Sequence, residues 1–174
     1  MIQLLDESTI NRTLTRIAYE ILEKNNGAES ITLVGIKTRG EFIARRIQER
    51  IKKIEGKDVP LIVLDPSFYR DDRIDQSIEP PVISAEASRL VNNHRVILVD
   101  DVLFTGRTIR AAMDALIDYG RPEKIWLATL IDRGHRELPI RPDFIGKNIP
   151  TAKNEHVQVE LIETDTTDQV TLIK

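Results

Sequence analysis

The stretch that decides the fold is VILVDDVLFTGRTI, residues 96–109. Four apolar residues run directly into Asp100 and Asp101, and the segment Thr105-Gly106-Arg107-Thr108 follows three residues later. A short apolar run bounded by polar and glycine-containing segments is typical of a buried strand. The stretch therefore predicts a strand that ends in paired carboxylates, then a turn, and then a helix that ends at Gly120.

The same alternation of strand and helix continues on both sides of this stretch. Apolar spacing predicts helices over 8–24, with Ser8 or Thr9 as N-cap and Asn26-Gly27 as the end, and over 40–54. Short apolar runs predict strands at 30–36, 59–65 and 124–132, and the segments 156–163 and 169–174 predict a closing antiparallel pair. This order indicates an α/β fold with a doubly wound, mostly parallel sheet, whose ligands lie at the carboxyl ends of its strands.

Length and composition fit one globular domain over residues 1–174. Hydrophobic residues make up 41% of the chain and charged residues 30%, with a net charge of −3. Because there is no cysteine, disulfides and thiolate metal sites are excluded. The N-terminus lacks the apolar run of a signal peptide and no 18-residue apolar stretch exists, so we expect a soluble, cytoplasmic protein without membrane contact. The negative charge disfavours bulk nucleic-acid binding, although residues 133–153 are locally basic.

The aspartates and the segment after them predict a phosphorylated sugar as ligand. Ionised carboxylates only accept hydrogen bonds, so Asp100 and Asp101 suit a vicinal diol or a hydrated metal ion. Free N–H groups at the start of a helix favour a phosphate, and Gly106 lets the backbone approach it closely. Together these groups describe a ribose 5-phosphate site. A P-loop fits less well, because Glu41 follows Gly40 where lysine is required.

Residues 66–94 differ from the rest of the chain. They contain Pro66, Pro80 and Pro81 and show little periodicity. A loop of this length inside a compact domain is usually functional or mobile. We therefore expect a flexible flap over about 66–94.

Several motifs together resemble one family. VILVDDVLFTGRT resembles the phosphoribosyl-pyrophosphate (PRPP) motif of type I phosphoribosyltransferases. The rest of the resemblance is to the PyrR family, bifunctional pyrimidine-operon attenuation regulators with uracil phosphoribosyltransferase activity, and is carried by VGIKTRG (34–40), YRDD (69–72), GRPEKI (120–125) and DRGHRELPIRPDFIGKNIPTAK (132–153). It implies the type I phosphoribosyltransferase fold with a small C-terminal antiparallel hood.

The resemblance implies an enzyme that converts uracil and PRPP to UMP and pyrophosphate, with Mg²⁺ bound as Mg-PRPP rather than directly by the protein. The catalytic residues implied are Asp100, Asp101 and Arg39. The pyrophosphate loop, which often holds a non-proline cis peptide in such enzymes, and the flap are implied to contact substrate through Lys37, Thr38, Arg39, Gly40 and Arg70. The PRPP motif and the hood would contribute Asp100, Asp101, Val102, Leu103, Phe104, Thr105, Gly106, Arg107, Thr108, Arg133 and Val157.

The resemblance also implies a regulatory partner, the leader mRNA of a pyrimidine operon, bound under the control of UMP or UTP. The implied RNA-binding residues are Arg12, Thr15, Arg16, Tyr19, Arg136, Arg141, Lys147 and Lys153. A homodimer or a higher homo-oligomer is implied as well. Two alternatives stay open: a phosphoribosyltransferase for another base, and a nucleotide-sensing RNA-binding regulator with little catalysis.

Overall fold

The computed structural model describes residues 1–71, 77 and 79–174. The remaining residues, 72–76 and 78, lie outside the described residues, and they include Asp72 of the YRDD motif and part of the predicted flap.

A parallel sheet of five strands forms the centre of the molecule, in the order β3-β2-β4-β5-β6. Its strands are β2 (Ile31–Ile36), β3 (Leu61–Leu64), β4 (Arg95–Leu103), β5 (Lys124–Asp132) and β6 (Phe144–Asn148). All six residues of β2 are buried, as expected for a strand covered by helices on both faces. The doubly wound parallel sheet predicted from the sequence is confirmed.

Four α-helices of the described chain cover the two faces of this sheet. They are α1 (Glu7–Asn25), α2 (Arg39–Glu55), α3 (Ala85–Val91) and α4 (Arg107–Tyr119). Helices α1 and α2 bury residues such as Ile17 and Ile47 in a core on one face. Helices α3 and α4 bury Val91 and Ile109 in a second core on the other face. Each helix therefore buries one apolar side against the sheet.

A second, antiparallel sheet has the order β1-β8-β7. It consists of β1 (Ile2–Asp6), β7 (His156–Glu160) and β8 (Gln169–Ile173). The closing antiparallel pair predicted from the sequence is confirmed as β7 and β8. The N-terminal strand β1, which the sequence pattern did not reveal, adds to the free side of β8.

Three local features differ from the sequence predictions. The N-cap of α1 is Asp6, which accepts a hydrogen bond of 2.8 Å from the backbone N–H of Thr9, so the predicted cap at Ser8 or Thr9 was wrong. Strand β4 continues two residues beyond the aspartates, to Leu103. The segment 66–94 contains helix α3, capped by Ser84, as well as a short 3-10 turn at Ser67–Tyr69.

The topology brings three loops to one edge of the sheet. Strands β2, β4 and β5 are parallel neighbours, so their carboxyl ends point the same way. The segments after them begin at Lys37, Phe104 and Arg133, and each contains residues that the sequence analysis singled out. Among the described residues, no helix has the length and apolar character needed to cross a membrane.

Candidate active site

A cavity of about 370 Å³ lies between the end of β4 and the start of α4. The lining residues are Arg70, Asp100, Val102, Leu103, Phe104, Thr105, Gly106, Arg107, Thr108, Ile109 and Glu137. The acidic end of the strand and the threonine–glycine segment therefore face one space. This juxtaposition is the geometry that a sugar phosphate requires, with acceptors for hydroxyls beside donors for a phosphate.

Asp100 is the buried carboxylate of this cavity, with 7% of its surface exposed. Burial raises its pKa well above the usual value, and the neighbouring charge of Asp101 raises it further. Its Oδ1 accepts a 3.0 Å hydrogen bond from the Asp101 backbone N–H, and the charge of Arg70 acts in the opposite direction on its pKa. Asp101 is more exposed and accepts from the Val102 backbone N–H at 2.8 Å. The pair thus presents one buried and one accessible acceptor.

Helix α4 starts at the cavity with an N-cap residue that has no side chain to cap it. Gly106 is the N-cap residue and has a φ of 94°, a left-handed conformation that favours glycine. A Cβ at this position would lie 3.2 Å from the Ile140 side chain. Since the first N–H groups of a helix have no intrahelical acceptor, this start offers donors and a positive dipole end to an anion.

A second uncapped helix start lies beside it, in the segment Lys37-Thr38-Arg39-Gly40. Helix α2 starts at Arg39, its N-cap Thr38 makes no side-chain cap hydrogen bond, and the Lys37–Thr38 peptide bond is cis, as the resemblance implied. A Cβ on Gly40 would overlap the Val99 carbonyl oxygen and lie 3.2 Å from the Asp100 Cα. Glycine at 40 therefore lets this loop pack directly on the strand that carries the aspartates.

The other two α-helices, α1 and α3, begin differently. Helices α1 and α3 are capped by the side chains of Asp6 and Ser84. At the candidate site the N-cap residues Thr38 and Gly106 provide no such bond, and the Arg107 N–H of α4 donates instead to the Thr105 hydroxyl oxygen at 3.3 Å. The chain therefore keeps its anion-binding capacity at one edge of the sheet.

Arg39 is engaged within the protein. Its Nη2 lies 3.2 Å from both carboxylate oxygens of Asp165, in the loop between β7 and β8. The residues that line the Asp100 cavity do not include Lys37, Thr38, Arg39 or Gly40. The segment from Lys37 to Gly40 adjoins the cavity through the packing of Gly40 on Val99 and Asp100.

The described part of the predicted flap is attached to α4. The Tyr69 hydroxyl donates to the Asp118 carboxylate, and Arg70 lines the cavity. Asp71 forms ion pairs of 3.2 Å with Arg107 and 3.3 Å with Arg110. The sequence analysis included Asp71 only as part of the YRDD motif of the flap, and only the fold shows that it meets the start of α4.

A second hollow of about 370 Å³ follows β5 and is lined by Asp132, Arg133, Gly134, His135, Arg136, Asn148, Pro150 and Thr151. Arg133 is 4% exposed, because its Nε donates to the Thr151 hydroxyl at 3.1 Å and its Nη2 to the Ala152 carbonyl at 3.2 Å. Its guanidinium carbon lies 4.0 Å from the centre of the Phe104 ring, a stacked cation–π contact. Val157, by contrast, packs against the main core and lines neither hollow.

The structure places Arg136 differently from the other predicted RNA-binding residues. Arg12, Thr15, Arg16 and Tyr19 follow one side of α1, which packs near β6 and its exposed Lys147. Arg141 and Lys153 are exposed as well. Arg136 is placed differently: it donates to the Asp132 carboxylate at 2.6 Å and to the Ile140 and Phe104 carbonyls at 2.9 Å. It therefore fixes the loop after β5 against the start of α4.

A groove of about 980 Å³ between α1 and α2 was not predicted from the sequence. Thr15 and Tyr19 line it on one side, and it is continued by Arg45, Arg46, Arg50 and Lys53 of α2. These basic residues recur along α2, and the sequence analysis assigned no role to them. The described residues contain no cluster of three or more side chains placed to hold a metal ion.

Comparison with known proteins agrees with this geometry. The model of the phosphoribosyl transferase domain family matches residues 2–164. The Bifunctional protein PyrR of Limosilactobacillus reuteri is 55% identical over 172 residues, covering 98% of this chain and 97% of that protein. The protein of the same name from Ligilactobacillus salivarius is 56% identical over 174 residues, covering 99% and 98%.

Solved structures show the same fold at low sequence identity. The hypoxanthine phosphoribosyltransferase of Trypanosoma cruzi aligns with a TM-score of 0.73 at 15% identity, covering 99% of this chain and 95% of the other. A hypoxanthine-guanine phosphoribosyltransferase of Bacillus anthracis aligns with a TM-score of 0.72 at 19% identity, covering 98% and 96%. At these identities the likeness concerns the fold alone.

Proposed function

We propose the function of this chain from the family to which it belongs. The chain is a member of the phosphoribosyl transferase domain family and, within it, of the PyrR proteins. It is a uracil phosphoribosyltransferase that also regulates pyrimidine genes by binding leader mRNA under the control of uridine nucleotides. The observation that carries the enzymatic half is the shared cavity, where Asp100 and the residues from Thr105 to Thr108 line one space.

The substrate PRPP fits this cavity by the chemistry of its groups. Asp100 and Asp101 accept hydrogen bonds from the ribose hydroxyls, and the N–H groups and threonine hydroxyls at the start of α4 hold the 5-phosphate. Carboxylate oxygens are also the ligands that Mg²⁺ prefers, so the same aspartates fit an ion that arrives with the PRPP diphosphate. Such an ion, when bound, neutralises charge on the leaving pyrophosphate.

The chemical step transfers the ribosyl carbon from pyrophosphate to uracil. The bond between the anomeric carbon and the pyrophosphate oxygen breaks with its electron pair on oxygen. A bond to uracil N1 then forms as that nitrogen loses its proton. Negative charge develops on the leaving group, so Arg39 and the N–H groups at the start of α2 stabilise it. The protein otherwise contributes positioning, because both reactants must meet at one carbon.

Uracil binds in the hollow after β5, next to the cavity. Arg133 lines this hollow together with its neighbours Asp132, Gly134 and His135, and these residues offer donors and acceptors to a base. Phe104 lies between the two spaces, since it lines the cavity and stacks on Arg133. Val157 supports this region from the core rather than touching the base.

RNA binds to the surface formed by α1 and β6, with Arg141 and Lys153. Arg12 and Lys147 are exposed there and suit phosphate contacts, while the exposed ring of Tyr19 suits stacking on an unpaired base. UMP, as product and signal, binds the cavity and favours the RNA-binding state. The protein acts in the cytoplasm, where the transcript is made, as a homodimer or larger homo-oligomer.

One experiment tests both halves together. Uracil and PRPP are incubated with the protein and UMP is measured, beside a gel shift with a pyrimidine-leader stem-loop with and without UMP. We expect UMP formation and a shift that strengthens with UMP. A shift without turnover would point to a nucleotide-sensing regulator, and turnover with another base alone would point to a different transferase.

Asp101→Asn and Arg39→Ala test the site. Both should reduce PRPP use strongly while the protein stays folded, as judged by circular dichroism. Retained PRPP use in both variants would contradict the assignment.

A further inference from the structure

We propose that Asp165 is a positioning residue that holds Arg39 in the orientation needed to bind the diphosphate of PRPP. This inference rests on the proposed function. Asp165 lies in the loop between β7 and β8, 126 residues from Arg39 along the chain, and no motif marks it. The loop thereby links the small antiparallel sheet to the pyrophosphate loop.

The geometry of Arg39 shows how its direction is set. Its Nε is buried and has no hydrogen-bond partner among the described residues, so the stem of the side chain is enclosed. Its Nη2 meets both oxygens of Asp165 at 3.2 Å. Among the described residues, no group forms a hydrogen bond with the Nη1 of Arg39. One end of the guanidinium is therefore fixed, and the other is free for a ligand oxygen.

Asp165 is itself held in place. Its Oδ2 accepts hydrogen bonds of 2.9 Å from the Leu161 backbone N–H and from the Thr164 hydroxyl. The Leu161 bond is the main reason that the pKa of Asp165 lies below its usual value, so the carboxylate is ionised at neutral pH. Because Asp165 is fixed by its own loop, it restricts the orientation of the long Arg39 side chain more than a mobile acceptor would.

The loop is also fastened to α2 by a second guanidinium. Arg46 donates to Glu163 at 2.6 and 2.8 Å and to Asp168 at 2.6 and 2.8 Å, and its side chain is 11% exposed. Arg39 and Arg46 are seven residues apart, two helical turns, so they lie on one side of α2. The Arg46 contacts keep the loop in register with the helix, which leaves Asp165 opposite Arg39.

The test compares ligands with and without a diphosphate. In Asp165→Ala, we expect PRPP and pyrophosphate to bind about five- to tenfold more weakly, because an unrestrained arginine must be ordered by the ligand. UMP lacks the diphosphate, so its affinity should stay the same. Binding is measured by calorimetry, and in rate assays the KM for PRPP should rise and kcat should fall as well, because Arg39 also stabilises the leaving pyrophosphate.

Two further variants make the test specific. Thr166→Ala alters an exposed residue of the same loop that forms no hydrogen bond with Arg39 or Arg46, and it should leave all three affinities unchanged. In an Arg39→Ala background, adding Asp165→Ala should cause no further loss of PRPP affinity, since Asp165 acts through Arg39. Asp165→Asn, which keeps an acceptor oxygen, should restore part of the affinity.

Three results would overturn the proposal: unchanged or tighter PRPP binding in Asp165→Ala, an equal loss of UMP binding, or an additive loss in the double variant. If the unaltered protein bound no PRPP at all, the proposed function itself would fail. If PRPP bound equally well to the unaltered protein and to Asp165→Ala, only the role assigned to Asp165 would be wrong.

Discussion

Replacing Asp100 by asparagine should stabilise the protein and weaken its use of PRPP at the same time. The side chain is nearly fully buried, next to the like charge of Asp101, and its Oδ1 accepts one backbone hydrogen bond. An incompletely paired buried polar group costs about 1–3 kcal/mol. Asparagine keeps the shape and an acceptor oxygen, so we expect the free energy of unfolding to rise by about 1–2 kcal/mol.

This gain corresponds to a rise in Tm of about 2–8 °C for a chain of this size. Its pH dependence has a defined sign, because the folded pKa of Asp100 lies above the unfolded one. The folded state then binds the proton more tightly, so the wild type loses stability as pH rises from the unfolded pKa through the folded pKa. The asparagine of the variant does not titrate, so the difference in Tm should be small at acidic pH and largest at neutral pH.

The functional loss follows from the same charge. A hydrogen bond to an ionised group contributes about 1.5–3 kcal/mol, so kcat/KM for PRPP should fall about ten- to a hundredfold. Thermal melts from about pH 4 to about pH 8 and initial-rate assays measure the two effects on the same samples. A variant that melts lower at neutral pH and keeps full PRPP use would refute the reasoning, since Asp100 would then be structural.

Three further changes test other parts of the structure. Gly40→Ala places a methyl group against the Val99 carbonyl, so unfolding should become easier by about 1–3 kcal/mol in urea titrations, with a higher KM for PRPP. Arg46→Met leaves Asp168 and Glu163 without their guanidinium partner. Differential scanning calorimetry should show that the free energy of unfolding falls by about 1–3 kcal/mol, less than for a fully buried ion pair because these groups are partly exposed. Lys147→Ala should weaken leader-RNA binding and reduce the salt slope by about 1 while uracil conversion is unchanged. Unchanged stability in the first two, or an unchanged salt slope in the third, would contradict these assignments.

The sequence was most informative where structure is local. The apolar run before Asp100 and the glycine in the next turn are adjacent in sequence, and both belong to one strand–turn–helix unit. The apolar run predicted β4 and the carboxylates at its end, and the segment from Thr105 to Gly120 predicted α4. Regular apolar spacing over about three turns predicted α1 and α2.

The sequence was least informative about contacts between residues that lie far apart along the chain. Strand β1 is five residues long and gains its stability from pairing with β8 at the opposite end of the chain. The true cap of α1, Asp6, lies at the end of that strand, so the helix start was misplaced by the missing strand. The contact of Arg39 with Asp165 spans 126 residues and follows no spacing rule. Such contacts depend on the assembled fold and leave no periodic signal.

The features of the candidate site share one physical property, which is that each is unfavourable for the protein without ligand. Two helix starts lack side-chain caps, where a cap contributes about 1 kcal/mol. Asp100 is buried beside a like charge, and the Nε of Arg39 is buried without a partner among the described residues. Elsewhere α1 and α3 are capped. A ligand that supplies a phosphate to the helix starts and hydroxyls to the aspartates satisfies the uncapped N–H groups and the Asp100 carboxylate together. Binding should therefore raise the Tm with PRPP concentration, and ribose without phosphate should not reproduce the effect.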